Sequence, residues 1–331
     1  MALQTYAGLF TAKSPIAHGS DEKAGVDTLF RRQRFMTASG PTDIPMISGN
    51  AIRGRLRRVA AQRYCTLAGL PDRSLPPWLY HALFAGGSIQ KGSEGGKMGI
   101  ADRRAVREHC PFLSLWGTAW KADILQGKLT VGMALPICRE LEEFTGVSEP
   151  RSIRQFLDEI ALTRKDDREN VLIATPQTDI EEVSDSDAER SEDPPIDMFG
   201  AVEAEPSSSP LMAAGEPHLA PLIVATPLLK TKGSPVQMLY RVEVLVPGTR
   251  FVALFILDDA TEVEAACFAD CLAAWRLNPT FGGKASGGFG RMDLEFSSGS
   301  LSDPEPYVAD MAARADSIRI WLRQQGVTIP S

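Results

Sequence analysis

Eight arginines stand between Arg31 and Arg63 against one acidic residue, Asp43, a local charge of +7. Four of them, Arg53, Arg55, Arg57 and Arg58, crowd the stretch IPMISGNAIRGRLRRVAA at residues 44–61, directly after Ser48, Gly49 and Asn50. Apolar residues at Ile52, Leu56, Val59, Ala60 and Leu67 follow helical spacing, which predicts a helix over about Ser48 to Leu67. Ser48 is a suitable N-cap, since its hydroxyl can accept an orphan backbone N–H. A helix start already carries partial positive charge and unpaired N–H groups. Arginines there work against the dipole, so stability is a poor reason for them. An anionic ligand is a better one, because helix starts of this kind bind phosphate. Arg53 and Arg57 lie one turn apart on a flank of the apolar stripe, and Asn50 and Arg58 lie nearby. A solvated arginine face is the bland reading of the same residues.

A second feature is FGGKASGGFGR, with Gly282, Gly283, Gly287, Gly288 and Gly290 around Lys284 and Ser286. Glycines let a backbone approach a ligand and present N–H groups to it. The loop lacks the spacing of a Walker A motif and of the dinucleotide fingerprint. Alone it is a flexible turn; beside an arginine-rich helix it points to a polyphosphate backbone. A third feature is HGSDEKAGVD, which sets His18, Asp21 and Asp27 in one loop. A carboxylate there could hold Mg²⁺ or move a proton near a scissile phosphate, although ordinary turn residues have the same composition.

The elements that must position these residues read as α+β. LQTYAGLFTAKSPIAHG is a strand ending in a turn, and the following stretch to Pro45 is a loop excursion or short hairpin. Residues 86–99 form a Gly-rich loop, 127–137 a strand, and 151–162 have helical spacing. VQMLYRVEVLV and TRFVALFIL read as two strands of a hairpin joined by Pro247 and Gly248. Residues 261–277 form an amphipathic helix, the glycine loop feeds a last strand, and residues 306–326 form a surface helix. This order suits a ferredoxin-like sandwich with helices on one face of the sheet. Trp116 and Trp120 read as core residues.

Composition bounds the rest. The chain has 331 residues, 44% of them apolar, and a formal charge of −7, which alone argues against a nucleic-acid binder. That sign comes from one segment. Asp179 to Glu205 holds eleven acidic residues and one basic, Arg190, and residues 165–221 read as a polar, weakly folding stretch with an apolar island, IDMFGAV. Five cysteines without a CxxC pair fit a reduced, cytoplasmic protein with no zinc site. No apolar run approaches the roughly 18 residues of a membrane span.

Several of these stretches together resemble the RAMP superfamily of CRISPR-associated proteins. IPMISGNAIRGRLRR is similar to the IPGSSxKGxxR element that opens that family's first helix. LSLWG at 113–117 resembles the family's LFG and the strand after it, and FGGKASGGFGRM resembles its C-terminal glycine-rich loop. Size and divergence resemble a type IV backbone subunit more than a type III one. The resemblance implies an RRM-like (ferredoxin-like) palm with fingers and thumb insertions. It implies palm segments at 1–67, 111–137 and 236–331, a fingers insertion at 68–110, and a thumb at 138–235. Copies would stack along a guide crRNA and present it to a DNA or RNA target, in the company of other effector subunits, with no membrane partner and no cofactor. The RNA-binding set implied is Arg31, Arg32, Ser48, Asn50, Arg53, Arg57, Arg58, Gly283, Lys284, Ser286, Gly287 and Gly288. Asp27 falls where type III relatives carry the aspartate of target-RNA cleavage, so a metal-dependent endoribonuclease is the alternative. A small phosphate-binding enzyme using the glycine loop is a weaker rival.

Overall fold

The structure, a computed structural model, describes residues 3–24, 27–70, 75–87, 98–120, 123–165, 237–296 and 301–327; the side chains at 21–24, 27, 163–165 and 237–240 lie outside that description. The acidic segment Asp179 to Glu205 with its IDMFGAV island, and residues 88–97 of the Gly-rich loop, also lie outside it. The chain divides into two units, Met1–Thr163 with Leu239–Ser331, and Arg164–Met238.

Strand β1 (Leu3–Ala12) is followed by two hairpins, β2 (Gly19–Ala24) with β3 (Asp27–Phe30) and β4 (Arg32–Thr37) with β5 (Gly40–Pro45). Helix α1 (Gly49–Ala68) comes next, capped by the Ser48 hydroxyl, which accepts from Ala51 N at 3.4 Å. Then come α2 (Pro77–Tyr80), a π-helical turn at His81–Ala85, α3 (Ile100–His109) and α4 (Pro111–Trp116). A short hairpin, β6 (Thr118–Trp120) and β7 (Asp123–Leu125), precedes β8 (Leu129–Val131), β9 (Leu135–Pro136) and α5 (Glu142–Thr145). Strands β10 (Leu157–Lys165), β11 (Gln237–Leu245) and β12 (Arg250–Asp258) follow, then α6 (Glu262–Leu277), β13 (Met292–Phe296), α7 (Glu305–Ala313) and α8 (Ala315–Gln324).

The central sheet is antiparallel, ordered β13–β1–β12–β8, with β9 also on β12. In chain order these are the last, first, third and second strands, with α1 between the first two and α6 between the last two. Alternation along β1 turns Tyr6 and Phe10 inward, and along β12 it turns Phe251, Phe255 and Leu257 inward. Helix α6 meets them with Phe268, 5.5 Å from the Tyr6 ring and 5.6 Å from the Phe255 ring, and with Trp275, 5.5 Å from Phe10. Helix α1 adds Ile52, Leu56, Ala60 and Tyr64 to the same core. Each such large side chain contributes about 1.5–3 kcal/mol by leaving water.

Four expectations from sequence need correction. The stretch before Pro45 is two hairpins in place of a loop excursion or a single short hairpin. The apolar spacing at 151–162 is not a helix: Ile153–Phe156 is a single 3₁₀ turn and the chain runs on as β10. Strands β11 and β12 are not hairpin partners, because β11 belongs to a separate sheet ordered β10–β11–β3–β2. Thr249 N closes the turn on Val246 O at 3.2 Å, but Gly248 N bonds Ala12 O and Val246 N bonds Phe156 O, outside any β11–β12 ladder. The two strands also face different cores, Val242 and Val244 packing with Ala17 and Phe289. The C-terminal helix is two helices broken at Arg314, and it is no mere surface element, since Tyr307, Met311, Ile318 and Leu322 are buried.

One ion cluster ties the segment after β9 to the central sheet. Glu149, only 5% exposed, accepts from Arg151 at 2.7 and 2.9 Å and from Arg250 of β12 at 3.4 Å. The Arg151 hydrogen bonds hold the Glu149 carboxyl at about 2. A carboxyl whose folded value lies below its unfolded one stabilises the fold above the unfolded value and loses that contribution as pH falls through the folded one. The stability gap between the parent and Glu149→Gln should therefore be full above pH 4.5 and close on the way down to about pH 2. Thermal melts across that range measure it; a gap that does not narrow would show that the pair contributes nothing.

Candidate functional site

The start of α1 and the glycine loop after α6 face each other across a cleft of about 400 Å³. Helix α1 lines it with Asn50, Ala51, Gly54, Arg55 and Arg58. The other wall holds Thr280, Phe281, Gly282 and Ala285, with His18 between. Asn50 and Arg58 are exposed, and among the described residues Arg58 makes no ion pair. Arg55 is half-buried and its Nη2 donates to Thr280 Oγ1 at 2.7 Å, joining helix to loop. Desolvation, and then the charge of Arg58 nearby, lowers the Arg55 pKa. Two cations this close without an acid between them favour an anion in the cleft.

His18 accepts from Ser48 N through Nε2 at 3.3 Å and sits edge-on to Phe30 and Phe281. It therefore buttresses the helix start. The side chains of Asp21 and Asp27 lie outside the described residues, and among the described residues no group of three or more His, Cys, Asp or Glu side chains converges as a metal site.

Arg53 and Arg57 point the other way. Arg57 is buried, 8% exposed, and donates to Trp116 O at 2.9 Å, Gly117 O at 2.6 Å, Ala82 O at 3.3 Å and Leu83 O at 3.4 Å. Arg53 Nη2 joins it on Trp116 O at 2.5 Å. Two carbonyls belong to the π-helical turn and two to the end of α4, where the helix dipole is negative. Burial, and then the Arg53 charge, pulls the Arg57 guanidinium down to about 10, so it stays charged at neutral pH. These two arginines cap α4 and do not line the cleft, contrary to the sequence expectation.

The glycine loop is also used differently from the expectation. The N–H groups of Gly283, Gly287 and Gly288 donate to Ala17 O at 2.8 Å, Lys284 O at 2.9 Å and Ala285 O at 3.0 Å, so they are not offered to a ligand. The glycines serve close chain crossing instead. A Cβ at Gly282 would stand 2.3 Å from Ala17 O, and one at Gly290 would stand 1.9 Å from Phe281 O. Lys284 adopts a left-handed φ of 61°, and Ser286 is exposed. Arg32 is paired with Glu243 and also donates to Phe30 O at 3.4 Å; neither it nor the half-buried Arg31 lines the cleft. Of the expected set, the cleft thus gathers Asn50 and Arg58, with Ser48 capping its helix and Lys284 and Ser286 flanking its loop wall.

Gly54 and Arg55 belong to the quoted helix stretch but not to the expected binding set, and they line the cleft together with Ala51, Thr280, Phe281 and Ala285. A rotation of about 100° per residue carried the signal: it sets Arg58 nearly opposite the buried Leu56 and brings Arg53 and Arg57 round toward the core side.

No family model matches the chain, and no curated protein matches it. Its structure is similar to a chain of a solved assembly described as a Type IV-B CRISPR Complex, with a TM-score of 0.54 and 19% identity, over 90% of this chain and 92% of that one. At that identity the likeness shows a shared fold, and the described residues of this chain are α+β. Among the described residues no helix is long and apolar enough to cross a membrane.

Proposed function

We propose that the chain is a subunit of a type IV CRISPR effector ribonucleoprotein that binds the guide crRNA backbone and stacks with neighbouring copies along it, presenting the guide for pairing with a DNA or RNA target. The observation that carries this reading is the likeness over 90% of the chain to a subunit of a Type IV-B CRISPR complex. The sheet order of last, first, third and second strand, with both crossover helices on one face, fits a ferredoxin-like, RRM-like palm. In this reading the cleft is the place of contact. Arg58 and Asn50 meet phosphate and sugar, Arg55 adds charge from the wall, and Lys284 and Ser286 flank the track. Such contacts hold a backbone without reading sequence and leave base edges free for pairing. The glycine loop then acts as a wall, with the N–H groups of Gly283, Gly287 and Gly288 already satisfied.

The test is to express the protein with a guide RNA and isolate it at moderate salt. Nuclease-sensitive RNA should co-purify in a repeating assembly, with other effector subunits when these are co-expressed. A monomer free of nucleic acid, even with guide supplied, would defeat the proposal.

No observation among the described residues favours the endoribonuclease reading, and a structural role for Asp27 at the start of β3 is the expectation. Asp27→Ala should leave RNA binding and assembly unchanged. Mg²⁺-dependent cuts at regular intervals in a complementary RNA, made by the parent and lost in Asp27→Ala, would reverse that assignment.

A further inference from the structure

Helix α1 holds two glycines, and they have different reasons. Gly49 is required by the fold, since a Cβ there would stand 2.3 Å from Val131 O of β8. Gly54 is not. It sits inside the helix, its φ is not left-handed, and a Cβ built on it meets no atom within 4 Å. Among the described glycines it alone has neither a positive φ nor a neighbour within that distance. A glycine in a helix interior weakens the helix relative to alanine, because it loses more backbone freedom on folding. Nothing described within the chain compensates for that loss.

The space beside Gly54 is the cleft itself. Asn50, Gly54 and Arg58 follow at four-residue steps, so they form one stripe along the helix: a polar donor, a gap, and a cation. Arg55 flanks the gap. We infer that Gly54 is the point where the sugar–phosphate backbone of a bound single-stranded RNA lies in van der Waals contact with the helix, so that the missing side chain sets how closely Arg58 and Asn50 approach it. The inference rests on the proposed function and deepens it, assigning a residue that acts by shape where its neighbours act by charge. A phosphate alone could sit at Arg58 without needing the gap; a ribose carried between two contacts needs it.

The experiment compares full-length parent, Gly54→Ala and Gly54→Leu. Thermal midpoints are read first, and Gly54→Ala should melt about 1–3 °C higher, the return expected for removing one helix-interior glycine. Binding of a fluorescent mixed-sequence single-stranded RNA is then titrated at several salt concentrations. Gly54→Leu should bind about tenfold to a hundredfold more weakly, the range typical of an overfilled contact, with Gly54→Ala between it and the parent. The slope of affinity against salt should stay the same in all three, since no charge is lost. Inorganic phosphate competing for the site should do so equally well in parent and variants. A parent that binds while Gly54→Leu binds equally well would overturn the inference and leave the proposed function standing. A parent that binds no RNA would overturn both. A variant with weaker binding and a smaller salt slope would assign the loss to displaced arginines and would also overturn the steric reading.

Discussion

Arg57→Ala should destabilise the protein by about 2–4 kcal/mol, because it takes the side-chain donor from buried Gly117 O and Leu83 O and leaves Trp116 O to Arg53 alone and Ala82 O to Thr118 alone. Arg53 reaches only Trp116 O of the four and cannot replace it. The effect is on the fold and not on the cleft. Denaturant melts should show the loss, while the folded fraction of the variant should bind RNA with the parent's salt slope. The double variant Arg53→Ala with Arg57→Ala should lose more stability still, by orphaning the end of α4 completely. Arg57→Lys should recover little, since an ammonium cannot span carbonyls on two segments as a planar guanidinium does. A stable Arg57→Ala protein with weakened RNA binding would return this residue to the ligand track and refute the capping role.

Arg58→Ala should do the reverse. Arg58 is exposed and makes no ion pair among the described residues, so thermal stability should hardly move. Affinity for single-stranded RNA should fall by about tenfold, the size expected for one charge-assisted hydrogen-bond contact. The loss should be nearly uniform across RNA sequences, as a backbone contact requires. The slope of log K against log salt should shrink by roughly 0.7, the contribution of one neutralised phosphate on a single strand. Adding Arg55→Ala should lower affinity further but also loosen the glycine loop, because Arg55 ties α1 to Thr280. A loss confined to certain sequences, or an unchanged slope, would remove Arg58 from the phosphate track.

The contrast between these two arginines, one position apart, is where sequence reading ran out. The cluster and its place at a helix start are local facts, legible from residue types and spacing. Which arginine meets solvent depends on what packs against each side of α1. Here α4 and the π-helical turn bring four carbonyls to Arg57 from residues 25 to 60 positions away. No local pattern predicts that meeting. Residues 151–162 failed for a related reason: apolar spacing suits a helix, but Ile153 and Phe156 are buried in a 3₁₀ turn and the following residues pair as a strand. Strands β11 and β12 read as a hairpin because Pro247 and Gly248 make a genuine turn, yet the turn joins two sheets.

The sequence by itself determined the α+β class, the capped helix at Ser48, strands β1 and β12, the helix over residues 261–277, and the concentration of positive charge near one helix start. These follow from short-range hydrogen bonding and from hydrophobic periodicity, both written in consecutive residues. The tertiary structure alone decided which carbonyls Arg53 and Arg57 meet, that Gly283, Gly287 and Gly288 spend their N–H groups on their own chain, and that the cleft opens beside Asn50, Gly54 and Arg58. Each of those outcomes turns on desolvation. A buried guanidinium or N–H must find an acceptor, and the acceptors here come from segments that only folding brings within reach.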